Sequence, residues 1–461
     1  MKQKIILLLA VFLISYGSVA QDYMRKLNVH SGENVTTYEL PRDVDGFQVV
    51  EFVYSSEPSG TENGYEYVDL GLPSGVKWAT CNIGATQPLE YGNFYSWGEL
   101  SSDIKVVNDT IRFDWVTYKY SYDGTDTAIT KYCTEDGKRI LDPEDDVANV
   151  EWGGKWRMPT KDDFVELGQY CSFIRGYIDG VYGIAITSTI NGATIYAPAA
   201  GAYLSNIYIH PTLGAGTQNV GAYWSSSLCE LTDSEGEKSA YFGSFNDKDI
   251  SLTGVYRCLG LSVRPVYDPF DPSENEDNGE YVDLGLPSGI KLGSCNMGAT
   301  KPYEYGNFYA WGKVAEMQYN ENDSTIYLDP TCYPAENRSC DPVTMEKGDG
   351  WRMPSKEDVL EIYQYCTFRR GYSNGVYGIY IIGANNNHVF VPAAGVTAFG
   401  YSTYEAEMGA YWYSTMDEED ETKTMAYIGG FDSNELILRT LERVVGACIR
   451  PIYDPKMLSE E

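Results

Sequence analysis

Apolar and polar residues alternate with a period of two through much of this chain, and two stretches stand out by switching to helical spacing. In TKDDFVELGQYC (160–171), Phe164, Leu167 and Cys171 share one face; in SKEDVLEIYQYC (355–366), Val359, Ile362 and Cys366 do the same. Thr160 and Ser355 each stand at a cap position with an acid three residues on, close to a capping box, so each stretch predicts a helix. Both follow the same motif, WRMPT (156–160) and WRMPS (351–355), and the landmarks around it also occur twice. EYVDLGLPSGVKWATCNIGA (66–85) returns as EYVDLGLPSGIKLGSCNMGA (280–299), an alternating run through a Pro-Ser-Gly turn that predicts a β-hairpin. YGNFYSWGE and YGNFYAWGK predict an aromatic strand, and GVYGIAIT and GVYGIYII another. APAAG and VPAAG, GAYWSSS and GAYWYST, and the closing SVRPVYDP and CIRPIYDP complete the repeat.

A period this long implies tandem domains, not a solenoid. The predicted organisation is a signal peptide at 1–20, a β-rich lead segment at 21–60, a first domain at 65–269, an acidic linker at 270–279 and a second domain at 280–455, each domain folding independently. The signal reading rests on Lys2 and Lys4, the apolar run from Ile5 to Ile14, and small residues at Ser18 and Ala20. KLNVHSGENVTTYEL and DGFQVVEFVY supply the β-rich runs of the lead segment, and SSEPSGTENG (55–64) reads as a linker by composition. The fold class expected from the pattern is α+β, with short strands, long loops and one main helix per domain.

Charge narrows the partners. With 34 Lys+Arg against 66 Asp+Glu the net charge is −32, which repels nucleic acid and anionic membrane surfaces and makes cations the electrostatic partners. A monomer is expected. The three histidines, His30, His210 and His388, do not fall at matching places in the two copies, which speaks against shared histidine acid-base or zinc chemistry. Each copy holds five cysteines, an odd number; Cys81 with Cys171 and Cys295 with Cys366 are formal pairs, buried free thiols are an equal alternative, and Cys332 with Cys340 is the best local pair. The export signal carries no transmembrane length, so a periplasmic, cell-surface or extracellular location is expected.

Three groups of residues are candidates for function. Trp97 with Glu99, and Tyr223 with Trp224, could form an aromatic platform with a polar rim, the kind on which sugar rings stack, but in a chain with 40 tyrosines core packing is the favoured reading. The second copy replaces Glu99 by Lys313 and Ser225 by Tyr413. Asp142, Glu144, Asp145 and Asp146 in LDPEDD could offer oxygens to calcium, the one candidate cofactor. Read structurally, Asp142 would cap a helix with Pro143 at its first position, and the counterpart CDPVTM keeps only Asp341. Trp156, Arg157, Arg264, Trp351, Arg352 and Arg450 recur in apolar frames, where an arginine must find an ion pair or a set of carbonyls.

The order of YVDLGLPSG, WATCNIGAT, YGNFYSWGE, KYCT, LDPEDD, WGGKWRMPT, PAAG, YWSSS and VRPV resembles the Fibrobacter succinogenes major paralogous domain, over nearly all of 66–269 and, with altered landmarks, over 280–455. The resemblance implies a C-type-lectin-like fold in tandem, distantly akin to formylglycine-generating enzymes. Those enzymes need a reactive cysteine pair near the closing strands, and Cys229 and Cys258 have no counterparts in the second copy. No carboxylate pair recurs for glycoside hydrolysis. The expectation is thus an exported, non-enzymatic protein binding a glycan or a protein, with scaffolding as the alternative and an enzyme as the weakest reading.

Overall fold

The structure is a computed structural model that describes residues 26–31, 34–39, 58–102, 106–107, 110–209, 221–229, 237–245, 250–270, 272, 279–315, 332–398, 401–404, 408–432 and 435–458. The expectations for 1–20, for DGFQVVEFVY (45–54) and for most of the 270–279 linker lie outside these residues. The chain divides into two compact units, Met1–Glu51 and Phe52–Glu461. In the first, the strands Lys26–Ser31 and Asn34–Glu39 pair antiparallel, from Lys26 opposite Glu39 to Ser31 opposite Asn34.

The second unit holds both repeats, and its make-up corrects the α+β expectation. Strands account for 39% of the described residues and helices for 12%, in many small antiparallel sheets, with four α-helices instead of one main helix per repeat. The extra helices are α1 (Val147–Trp152) and, in the second repeat, α3 (Pro342–Lys347); the expected ones are α2 (Lys161–Tyr170) and α4 (Lys356–Tyr365). At six residues, α1 and α3 are too short to show a helical period, and an aspartate cap starts each. Gly60–Glu62, expected to be linker, is a strand paired with Tyr65–Val68. Asn63 and Gly64 turn the chain between them with φ of 50° and 85°, so the Asn-Gly hairpin signal outweighs the linker-like composition.

Each repeat is sewn shut by one sheet. Gly60–Glu62, Tyr65–Val68, Lys77–Ala79, Val266–Tyr267 and Trp156–Arg157 lie side by side in that order, so the closing strand runs between the opening hairpin and the central Trp-Arg motif. The second repeat orders Tyr281–Val282, Lys291–Gly293, Ile452–Tyr453 and Trp351–Arg352 in the same way. Two three-stranded meanders per repeat complete the body: Cys171–Ile178 to Thr194–Pro198 and Ala222–Leu228 to Ile250–Tyr256 in the first, Thr367–Ser373 to His388–Pro392 and Gly409–Met416 to Leu436–Glu442 in the second. The capping boxes form, Thr160 with Asp163 and Ser355 with Asp358, and Phe164 and Leu167 turn a fully buried face to the core.

The repeats are docked to each other head to tail. From the strand Thr367–Ser373, Arg370 reaches Asp162 of α2 at 2.9 Å, while Arg369 pairs with Asp268 and donates to Ser74 O at 2.5 Å. Tyr372 OH accepts the Arg139 amide at 2.5 Å, and Ile140 packs into a core cluster of the second repeat. His388, 5% exposed, meets Pro272 O at 3.1 Å under the Phe270 ring. These contacts couple the repeats energetically. Replacing Arg369 and Arg370 together by alanine is expected to split one calorimetric unfolding transition into two; a single unchanged transition would show that these two arginines do not carry the coupling.

Candidate functional site

Trp97 and Trp224 come together in one core cluster of the first repeat, Tyr223 turns to the other face of its strand and packs in a second cluster, and Glu99 is buried as well. Their exposures run from 0% to 7%, so they form a core and offer no face to a sugar. Each polar atom is spent internally. Trp97 Nε1 donates to Ser225 O at 2.8 Å, Trp224 Nε1 to Tyr95 O at 2.7 Å, Tyr223 OH to Pro198 O, and the Glu99 carboxylate accepts the Lys119 amide at 2.7 Å. The second repeat repeats the pattern: Trp311 Nε1 to Tyr413 O at 2.6 Å, Trp412 Nε1 to Tyr309 O at 2.7 Å, Tyr411 OH to Pro392 O. Tyr413 is 4% exposed and packs against Gly429 inside the second repeat, so the Ser225-to-Tyr413 difference changes core packing, not a binding face. Indole and phenol groups are buried when their N–H or O–H finds a partner, and here backbone carbonyls supply it.

The recurring arginines divide by partner. Arg157 forks onto Asp163 at 2.6 and 3.2 Å and reaches Asp268 at 2.8 Å; Arg352 forks onto Asp358 at 2.6 and 3.0 Å and reaches Asp454 at 3.0 Å. Each ties the Trp-Arg strand to its helix cap and to the closing Tyr-Asp-Pro segment. Trp156 and Trp351 are buried beside them at 0% and 5% exposure. Among the described residues Arg264 meets no carboxylate: its guanidinium donates to Asn82 Oδ1 (2.6 Å), Ala79 O (3.0 Å), Thr80 O (2.9 Å) and Tyr196 O (3.1 Å). Arg450 donates to Gly293 O at 3.2 Å and Phe390 O at 2.9 Å, and burial holds its guanidinium below the ordinary arginine pKa.

The acid cluster is built around lysines. Asp142, Glu144 and Asp145 bring oxygens within 4.8 Å of one another, close enough to share a cation. Lys131 Nζ lies 2.6 Å from Asp142, 2.5 Å from Asp145 and 3.7 Å from Glu144, so the chain supplies that cation itself. Lys119 adds a second contact to Asp145 at 2.7 Å, Lys138 one to Asp142 at 2.5 Å, and Tyr132 OH donates to Asp145 at 2.7 Å. Burial works against the Asp145 charge, yet the lysines and tyrosines hold its carboxyl well below the usual range. Asp146 stands apart from this group. It caps α1 by accepting from Ala148 N (2.9 Å) and Asn149 N (3.2 Å), and its other oxygen accepts Met158 N at 2.8 Å, linking the helix to the central motif.

The expected cap is thereby corrected: the Asp142 side chain caps nothing, and Asp146 does the capping. Asp341 is its counterpart, accepting Val343 N at 2.8 Å and Met353 N at 2.9 Å. Aligning Asp-Pro with Asp-Pro in the two copies had matched the wrong aspartates. Two further residues escaped the sequence reading. Arg257 and Arg443 are 0% and 2% exposed, and their guanidinium carbons lie 5.5 Å from the Trp97 ring and 4.5 Å from the Trp311 ring. Their signal was present: each stands seven residues before the recurrent Arg264 or Arg450.

Aliphatic surface appears elsewhere on the first repeat. The hairpin Ala202–Leu204 with Ile207–Ile209 exposes Leu204, Ile207 and Ile209 by 38% to 60%. Its Tyr203 and Tyr208 rings tilt against each other at 5.0 Å between centroids, and Phe94 meets both edge-on at 5.1 and 5.8 Å. Among the described residues no helix is long and apolar enough to cross a membrane. No family model matches the chain, and no curated protein or solved structure matches it either.

Two predictions follow from this geometry. Trp224→Ala should remove about 3–5 kcal/mol of stability and lower the denaturation midpoint, because it empties a closed core; chemical denaturation measures it, and near-native stability would contradict the burial. The pH dependence has two signs. Burial pushes Asp146 up to about 6 and raises Asp341 and Glu166, so these groups bind protons more readily folded than unfolded and lower stability as pH rises from about 4 through 6. Asp142, Asp145 and Asp163 are held down by their cationic partners despite burial, so their contribution is present above about 4 and lost below it. The expected melting temperature rises on acidification from neutral pH to about 5 and falls below about 4. A steady loss of stability from pH 7 to 5 would contradict it.

Proposed function

We propose that this chain is an exported, non-enzymatic binding protein, of the Fibrobacter succinogenes major paralogous kind, that recognises a protein ligand outside the cytoplasm. One observation carries the choice of ligand: Trp97, Tyr223 and Trp224 are sealed in the core, while a single hairpin of the first repeat exposes three aliphatic side chains together, Leu204, Ile207 and Ile209. Aliphatic side chains over a rigid aromatic base suit the apolar centre of a protein interface better than a sugar face. Export by the segment 1–20 belongs to the same reading, supported by its basic start and apolar run.

The cysteines support the non-enzymatic part. Burial pushes the thiols of Cys171, Cys258, Cys366 and Cys448 up to about 12, far from the thiolate that nucleophilic or oxidase chemistry needs. Glycan recognition is the second reading, since Tyr203 and Tyr208 of the hairpin and Phe94 packed against them are half-buried.

The test is to probe the full chain against a glycan array and an array of exported proteins, with a Leu204→Asp, Ile207→Asp variant alongside. Protein binding that the variant weakens at least about tenfold supports the proposal. Glycan binding moves the reading to a lectin, and blank arrays from folded protein leave a structural scaffold.

A further inference from the structure

The two repeats hold the same loop with different chemistry. In the first, Arg257 donates to Tyr132 O at 2.8 Å and Lys131 O at 2.7 Å, and Tyr132 packs edge-on against Trp97 with centroids 5.1 Å apart. In the second, Arg443 donates to Cys332 O at 3.3 Å, and Tyr333 lies 6.3 Å from Trp311 by centroid. Cys332 therefore stands where Lys131 stands. Because Asp341 takes the place of Asp146 as helix cap, Cys340 stands where Asp145 stands. Lys131 and Asp145 form an ion pair at 2.5 Å; Cys332 and Cys340 form a disulfide. A covalent bond has replaced a salt bridge at the same two positions.

We propose that Cys332–Cys340 is a redox-sensitive clamp on the second repeat: reduction releases the loop that carries Tyr333 from Arg443 and Trp311, while the ion-paired loop of the first repeat stays in place. Cys332 is half-buried and Cys340 is 3% exposed, so Cys332 offers the sulfur that an external dithiol reaches. Its thiolate attacks Cys332 Sγ, the S–S bond breaks, and Cys340 leaves as a thiolate that takes up a proton. The second thiol of the reagent then displaces Cys332, so the dithiol is oxidised to a disulfide and the protein gains two electrons and two protons. Without the bond, Cys332 O loses its fixed place on Arg443 Nη2, a cation buried beside the Trp311 and Tyr333 rings whose Nη1 donates to Lys423 O at 3.0 Å.

The test uses the full chain. Alkylation of the unfolded protein should modify eight cysteines before dithiothreitol and ten after it, matching one bond and eight free thiols. Hydrogen exchange on the folded chain should then quicken at least about tenfold in peptides covering 332–345 and 440–446 after reduction, with 131–146 unchanged. A Cys332→Ser, Cys340→Ser variant should show the fast exchange without reductant, and Lys131→Cys with Asp145→Cys should form a disulfide in the first repeat. Ten cysteines modified before reduction, unchanged exchange after it, or equal acceleration in both repeats would overturn the proposal.

Discussion

A guanidinium keeps its charge at every pH a protein meets, so burying one obliges the chain to bring oxygens to it. Arg264 is 2% exposed, and the oxygens come from the opening hairpin (Ala79, Thr80), from Asn82 after it, and from Tyr196 in the first meander. Two separated segments, 79–82 and the strand carrying Tyr196, must converge on Arg264 before that charge is satisfied, which makes one residue a checkpoint for closing the repeat. Arg157 does the same for the central motif, the α2 cap and Asp268, using carboxylates in place of carbonyls. Asp146 is the anionic counterpart, one buried carboxylate that serves both the α1 amides and Met158 N.

Duplication has let these devices drift separately. The Trp-to-carbonyl bonds and the Arg-Asp forks are the same in both repeats. The loop before the short helix is not: lysines and aspartates hold it in the first repeat, a disulfide in the second. At the contact between the repeats, Arg369 takes the place that Ile174 has in the first repeat, and that arginine reaches Ser74 and Asp268. The loop clamp and the docking face thus differ between the repeats, while the strand order of the closing sheet and the Arg-Asp forks recur.

Much of the frame was legible in the sequence. The duplication, the helices α2 and α4 with their Thr160 and Ser355 caps, the hairpins and the local cysteine pair all follow from residues close together in the chain. The α+β balance was misjudged because α1 and α3 are shorter than the window in which periodicity speaks, and because many strands are two or three residues long. For the candidate site the sequence left a surface platform and core packing open, with core packing the favoured reading, and burial bears core packing out. Trp97 and Trp224 do meet, but an alternating aromatic strand looks the same whether its inner face meets ligand or core.

What the sequence determined by itself was local: which segments repeat, where helices start, which side chains carry charge. Those properties depend on neighbours within a few positions, and they need no knowledge of the far parts of the chain. Only the tertiary structure decided burial and partnership: that Lys131 fills the acid cluster, that Asp146 and not Asp142 is the cap, and that Tyr372 of one repeat receives Arg139 of the other. Burial is a property of what packs on top of a residue. For Trp97 that neighbour is Ser225, and for Arg264 it is Tyr196, each brought in from a distant part of the chain by the fold.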